Sequence, residues 1–444
     1  MESQKINLDE NLRQIKARQI EQRWSEAVSN GNIDMSNPIS EDRVVVPEGL
    51  KGISEQETID LAKVSWMQIM PQVRNSTEII STNEWGYFML PSRGRDKDDS
   101  TKPRFAPLAF LPTAGCGHML ECGGCLMCDY GRNGSFSEEL LMAEAKKKMD
   151  FVTASNEGYS DAFFNVNALG SFFDEKEISK NVRVYILNRI AEYAKSFPGK
   201  KVGFFTESRL EFITEENMAE MRSILGDETW VEIGYGMESS NPLIRDGAFN
   251  KLLPTDFENR VALLRGFGVE VVNHIMLKPP FLTEKEAVQD AIQSIRDSHN
   301  KNWADFVVVM TINVRGSTLV GVEKLHGLYK MPSIWGVVEV MKEIGYEMAK
   351  KSVFFGFAIS EFAQRNGTQT VSGSTNNEMD VMQKILRFNG LESDYYDIVR
   401  MTEKGETSYE YNKWKKGIEE LKPKSTIAER IASHIALFAK IYKP

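Results

Sequence analysis

The sequence predicts an α/β protein. Its centre is a partial parallel (β/α)6 barrel, preceded by a helical N-terminal extension and followed by a C-terminal α/β region. Three observations carry this. From Phe105 onward, short β-like runs alternate with amphipathic helical stretches in six consecutive steps, a rhythm that parallel strands with helical crossovers produce. The strand-like runs end in Gly, Ser, Glu, Arg and Lys rather than in hairpin turns. All four cysteines of the 444-residue chain fall in one loop after the first of these runs, "GCGHMLECGGCLMCDYG".

Residues 1–104 read as the extension. Leu8, Leu12, Ile15, Ile20, Trp24 and Ala27 recur at helical spacing over 7–30, and Asn30-Gly31 ends the run. A Pro/Ser/Asp-rich connector follows, then the polar stretch "PSRGRDKDDSTKPR". The barrel is predicted over 105–316. Its strands are "PLAFLPTAG", "DAFFNVNALGS", "KVGFFTES", "WVEIGYGMESS", "VEVVNHIMLKPP" and "ADFVVVMTINV". The intervening helices include "SEELLMAEAKKKMDFVTASN", with Ser137 as N-cap before Glu138 and Glu139. Beyond Gly316 the alternation loosens, and 317–444 is the C-terminal α/β region.

Composition narrows the function. A chain of this length with 41% hydrophobic residues buries a core without disulfide staples. The charged N-terminus "MESQKINLDENLRQIKARQIEQRW" has no apolar signal segment, and no run approaches the roughly 18 to 20 apolar residues of a membrane span. A cytoplasmic protein with no membrane partner is expected, where clustered cysteines bind metal or do redox work. The net charge of −9 gives no global pull toward nucleic acid. One stretch, "SYEYNKWKKGIEELKPKS", interleaves Tyr409, Tyr411 and Trp414 with Lys413, Lys415 and Lys416, a pattern that stacks bases or simply solvates a helix. In so acidic a chain the second reading is preferred.

The cysteines are spaced C-x5-C-x2-C-x2-C, with Gly123 and Gly124 letting the backbone bend around whatever the sulfurs hold. Structural zinc usually draws two separated knuckles, whereas a C-x2-C-x2-C run also suits an iron–sulfur cluster, and redox thiols are a third reading. The polar strand ends at 167–177, 204–214, 233–246 and 275–287 favour a barrel holding a charged organic cofactor above a cluster. His118, inside the loop, reads as a hydrogen-bonding residue rather than a ligand, and His274 as a core or supporting residue.

At these residues the chain resembles the radical S-adenosylmethionine superfamily, nearest to the branch containing the elongator catalytic subunit and the radical partner of archaeosine synthase. "GC" followed by "GGCLMCDYG" matches the branch at Cys116, Cys125 and Cys128. "TESRLEFIT" resembles a second segment, with Leu210 where the branch has proline. "LKPPFLTEKEA" is the most specific match, and the likeness extends over 105–345. Cys122 is an additional thiol, and no cysteine follows Cys128.

The resemblance implies that Cys116, Cys125 and Cys128 hold a [4Fe–4S] cluster, whose open iron takes S-adenosyl-L-methionine. Reductive cleavage then yields a 5′-deoxyadenosyl radical that abstracts hydrogen from the substrate. Around this core, Gly170 and Ser171 are candidates to meet the methionine end. Glu207 and Glu238 are candidates for the ammonium or ribose hydroxyls, and Met127 and Tyr130 for the adenine. Glu207, Arg209 and Lys278 are the candidate catalytic residues, with Arg209 or Lys278 neutralising a carboxylate. The expected partners are a small amino-acid- or nucleoside-derived substrate and a low-potential electron donor of flavodoxin or ferredoxin type. A tRNA-modifying enzyme of archaeosine-synthase type is the alternative within this chemistry. A non-enzymatic, zinc-bound RNA-binding protein is the alternative outside it.

Overall fold

The computed structural model describes residues 2–75, 88–92, 104–113, 115–129, 137–157, 161–355, 375–388 and 390–443. One eight-stranded sheet runs in sequence order: β1 (Phe88–Ser92), β2 (Arg104–Phe110), β3 (Ala162–Asn167), β4 (Val202–Glu207), β5 (Trp230–Glu238), β6 (Val269–Leu277), β7 (Phe306–Thr311) and β8 (Ser352–Phe355). β1 pairs antiparallel with β2, and every later neighbour pair is parallel. Among the described residues the sheet is open, with β1 and β8 at its two edges. The expected partial barrel is therefore present, and its parallel order runs one strand beyond the six expected, to β8. That strand is only four residues long and sits in a helical neighbourhood, which hides its signal.

The crossover helices form where sequence supplies both an apolar stripe and a start signal. Ser137 Oγ accepts from Leu140 N at 3.3 Å and opens Glu138–Ser155. Thr283 and Glu286 form a reciprocal capping box at the start of Glu284–Asn300. These helices bury Met149, Ile186, Met221, Leu264 and Ile295 against the sheet. Among the described residues no helix is long and apolar enough to cross a membrane.

A second apolar cluster joins the two ends of the chain over the barrel. The N-terminal helix Glu55–Asn75 and the C-terminal helix Ile427–Ile441 meet there around Trp66, Phe281 and Phe438. Trp66 is fully buried, and its indole N–H donates to the Gly247 carbonyl at 2.9 Å. Burial of so large a ring stabilises by about 4 to 6 kcal/mol as an upper bound. The helix that carries Trp66 also packs against the cysteine loop, so the extension is part of the site's support.

Candidate active site

The cysteine loop leaves β2 at the C-terminal end of the sheet, where parallel β/α folds build their sites. Cys116 sits at the N-cap of a short helix, Gly117–Cys122, and Gly123 and Gly124 then turn the chain with φ of 77° and 73°. Both glycines are required by sterics as well. A Cβ on Gly123 would lie 2.9 Å from the Trp66 carbonyl oxygen, and one on Gly124 would lie 2.6 Å from Arg74 Nη2. The loop is thus pressed onto the helix Glu55–Asn75.

Asn250 pins the loop from the other side. Its Nδ2 donates to the carbonyls of Cys122 and Gly124, each at 2.9 Å. Its own carbonyl lies 2.6 Å from His118 Nε2. This is the backbone contact expected for His118. Asn250 holds φ of 54°, a conformation asparagine tolerates better than most side chains.

None of the four cysteines is in a disulfide, and all are half-buried. Burial pushes the Cys116 thiol up to about 11, with Glu177 and Cys125 adding to the rise against Arg209 and Lys251. Burial also raises Cys125. Lys251 is held charged despite its burial by Cys125, Glu238, Cys116 and Cys128. Burial lowers Arg74, opposed by Cys128, Cys125, Asp129 and Cys116. Cys116, Cys125 and Cys128 therefore lie near both Lys251 and Arg74. Among the described residues no three His, Cys, Asp or Glu side chains already surround a common point as metal ligands.

Beside the loop, a polar cleft of about 490 Å³, open mouth included, runs over the ends of β3 to β6. Gly170, Glu207, Arg209 and Glu238 line it, as do Lys251 and His274. Ser171 lies just behind: fully buried, its Oγ is 2.7 Å from Ser208 Oγ and accepts from Arg209 N at 3.2 Å. A Cβ on Gly170 would lie 2.8 Å from Cys116 Cα, so this turn and the cysteine loop touch. Three buried polar atoms of residues lining this cleft have no hydrogen-bond partner among the described residues: Arg209 Nε, Glu238 Oε2 and His274 Nε2. Burial raises the Glu238 carboxyl, opposed mainly by Lys251, whose Nζ is 3.5 Å from Oε1. Glu207 Oε1 is 3.9 Å from His274 Nε2.

Two of the expected residues fall elsewhere. Lys278 is buried outside the cleft, bound to the Glu41 carboxylate and the Leu282 carbonyl. Its φ of 66° turns the chain away just as β6 ends. Met127 packs against the second apolar cluster. Tyr130 lies outside the described residues. The basic–aromatic stretch is split: Tyr411 is buried with its hydroxyl on Glu339, and Lys415 Nζ is 2.9 Å from the same carboxylate, while Tyr409, Lys413 and Lys416 are exposed.

Three residues of the site escape a reading by strand ends: Lys251 and Asn250 follow a turn, and Arg74 ends a helix of the extension. A fourth, Glu177, falls in the polar strand end 167–177 without being a candidate. The Glu177 carboxylate accepts from Gly117 N at 3.1 Å and Ser171 N at 2.9 Å, and burial lifts it to about 7.

The donor set fits an iron–sulfur cluster. Burial raises two of the loop's thiols, Cys116 and Cys125, so they remain protonated unless a metal takes them as thiolates. Lys251 and Arg74 are placed to balance the resulting negative charge. The cleft fits a zwitterionic cofactor, because its unsatisfied atoms include both donors and acceptors.

No family model matches the chain. It is 30% identical over 232 residues to archaeosine synthase subunit beta of Methanosarcina acetivorans, across 52% of this chain and 64% of that protein. It is 26% identical over 246 residues to archaeosine synthase subunit beta of Thermococcus kodakarensis, across 54% and 72%. The chain spans a little under two thirds of the first relative's length. Among solved structures, archaeal Elp3 of Methanocaldococcus infernus aligns with a TM-score of 0.39 and 14% identity, over 59% of this chain and 64% of that one. Methylornithine synthase aligns with a TM-score of 0.33 and 12% identity, over 79% and 98%. Structural likeness that low carries no argument about function. The sequence relatives stand on their own: over about half its length the chain is similar to archaeosine synthase subunit beta.

Proposed function

We propose that this chain is a radical S-adenosylmethionine enzyme that acts on a nucleoside-derived group as one subunit of a larger assembly. The observation that carries the reading is the junction of loop and cleft. Cys116 abuts the Gly170 turn, and Lys251 answers both the thiols and Glu238. Cys116, Cys125 and Cys128 are the proposed cluster ligands. When bound, the cluster and S-adenosylmethionine supply a 5′-deoxyadenosyl radical for hydrogen abstraction.

The chain's own residues bind and orient. Glu238 Oε2 is an acceptor for an ammonium or ribose hydroxyl, and Glu207 is a second one at the cleft wall. Arg209 is held by Asp174 at 3.2 Å and Glu211 at 3.0 Å, leaving its Nε to donate to a carboxylate. Glu177 fixes the two turns that meet at Cys116 through their backbone N–H groups. Asn250 and the helix Glu55–Asn75 hold the loop between them and help keep water from the thiols.

The relatives' name supports an archaeosine-type, tRNA-modifying reaction over a free small molecule. It also names a subunit, and a partner that presents the RNA would reconcile this substrate with a net charge of −9. The test is 5′-deoxyadenosine formation by the reduced protein. A modified nucleoside, free or within tRNA, should raise it above the uncoupled rate, and a carbon-deuterated substrate should pass deuterium into the product. Absence of 5′-deoxyadenosine from protein carrying an intact cluster would overturn the reading.

A further inference from the structure

A second cavity lies apart from the cysteine cleft and encloses about 1030 Å³, open mouth included. It opens where four distant pieces of chain converge, one of them the stretch 324–333. Pro38–Glu41 come from the extension, Lys278–Lys285 leave β6, and Trp414 and Ile418 come from the C-terminal helix Gly405–Glu420. Ile39, Met331, Trp414 and Ile418 give it an apolar wall.

Its charge runs against that of the molecule. Four lysines, Lys278, Lys285, Lys324 and Lys330, share the lining with two glutamates, Glu41 and Glu284, in a chain of net charge −9. Lys278 is taken by Glu41, and Glu284 Oε1 accepts from Ser333 N at 2.8 Å. Lys285 and Lys330 are exposed, with Lys330 Nζ donating only weakly to the Pro38 carbonyl at 3.3 Å. Ser40 is among the residues lining the cavity; its Oγ is fully buried and has no hydrogen-bond partner among the described residues.

We propose that this cavity binds a small aromatic anion. Its ring lies against Trp414, Ile39 and Met331, its anionic head on Lys285 and Lys330, and a polar substituent reaches Ser40. An apolar wall alone would accept any hydrophobe; the lysines select the anion, and the buried hydroxyl rewards a polar atom on the ring. The site is independent of the cysteine loop and its cofactors. It also gives the basic–aromatic helix a use beyond packing, through Trp414 rather than through its lysines.

The test uses the full-length protein and the fluorescence of two naphthalenes, 2-naphthoate and the neutral 2-naphthalenemethanol. The naphthoate should bind at one site, at least tenfold tighter than the alcohol. A Lys285→Gln/Lys330→Gln double variant should lose that preference, and Trp414→Leu should weaken both ligands several-fold. The two lysines are exposed, so the double variant should fold, which far-UV circular dichroism checks. Equal affinity for the two ligands, a preference that survives in the double variant, or no saturable binding would each overturn the proposal.

Discussion

Replacing Asn250 should loosen the cysteine loop without touching a thiol. Its side chain donates two hydrogen bonds of 2.9 Å to loop carbonyls, and each such bond contributes about 1 kcal/mol net. Asn250→Gly keeps the φ of 54° accessible, so it should lose about 2 kcal/mol for the bonds and up to about 1 more through the unfolded chain. Asn250→Ala adds left-handed strain of about 1 to 2 kcal/mol, for a total of about 3 to 4. Asn250→Asp retains the shape but sets a carboxylate against two carbonyls, and should be at least as damaging as glycine. Urea denaturation of the metal-free protein measures the loss, and iron per chain after anaerobic reconstitution measures the effect on the site. If Asn250→Ala were within 0.5 kcal/mol of the parent and took up iron normally, the loop would not be held in the way described.

Cys116→Ala, Cys125→Ala and Cys128→Ala should each lose most of the iron after reconstitution, whereas Cys122→Ala should keep it; normal iron in Cys116→Ala with loss in Cys122→Ala would reverse the ligand assignment. Glu207→Gln and Glu238→Gln should leave iron intact and weaken S-adenosylmethionine binding by about 1.5 to 3 kcal/mol, tenfold or more, as read by calorimetry. Lys278→Met strands the buried Glu41 carboxylate and should destabilise the fold by about 3 to 5 kcal/mol, while cofactor affinity of the folded fraction stays unchanged. Burial raises Asp290 to about 7 although it accepts from Ser239 Oγ at 2.7 Å. A raised carboxyl gives stability that is complete below its ordinary value and is lost as pH rises through the folded one. The parent should therefore lose up to about 3 kcal/mol between pH 5 and pH 8 relative to Asp290→Asn, and parallel denaturation curves at the two pH values would show that Asp290 does not titrate as described.

The strands β3 to β7 were legible because each is an apolar run that stops at polar residues with a helix to follow. Glu207 and Glu238 could be picked out for the same reason, since strand ends converge on one rim. Lys278 ends a strand too, yet it points elsewhere. Its positive φ and the distant Glu41 decide its direction, and neither leaves a mark in the local sequence. Arg74 was illegible for the opposite reason: its helix looks like any amphipathic helix, and only tertiary packing brings it to Gly124 and the thiols. Glu177 and Asn250 act through backbone groups of other segments, and that kind of support has no sequence period. The family resemblance located the loop and cleft, while the residues that frame them required coordinates.

The central claim is that the cysteine loop binds an iron–sulfur cluster to which S-adenosylmethionine is added. The most direct measurement is elemental analysis of anaerobically purified protein, coupled to electron paramagnetic resonance of the reduced sample with and without S-adenosylmethionine. Iron and acid-labile sulfide should be present in equal amounts with almost no zinc, and the cluster signal should change when S-adenosylmethionine is added. One zinc per chain without sulfide, or a cluster signal indifferent to S-adenosylmethionine, would contradict it.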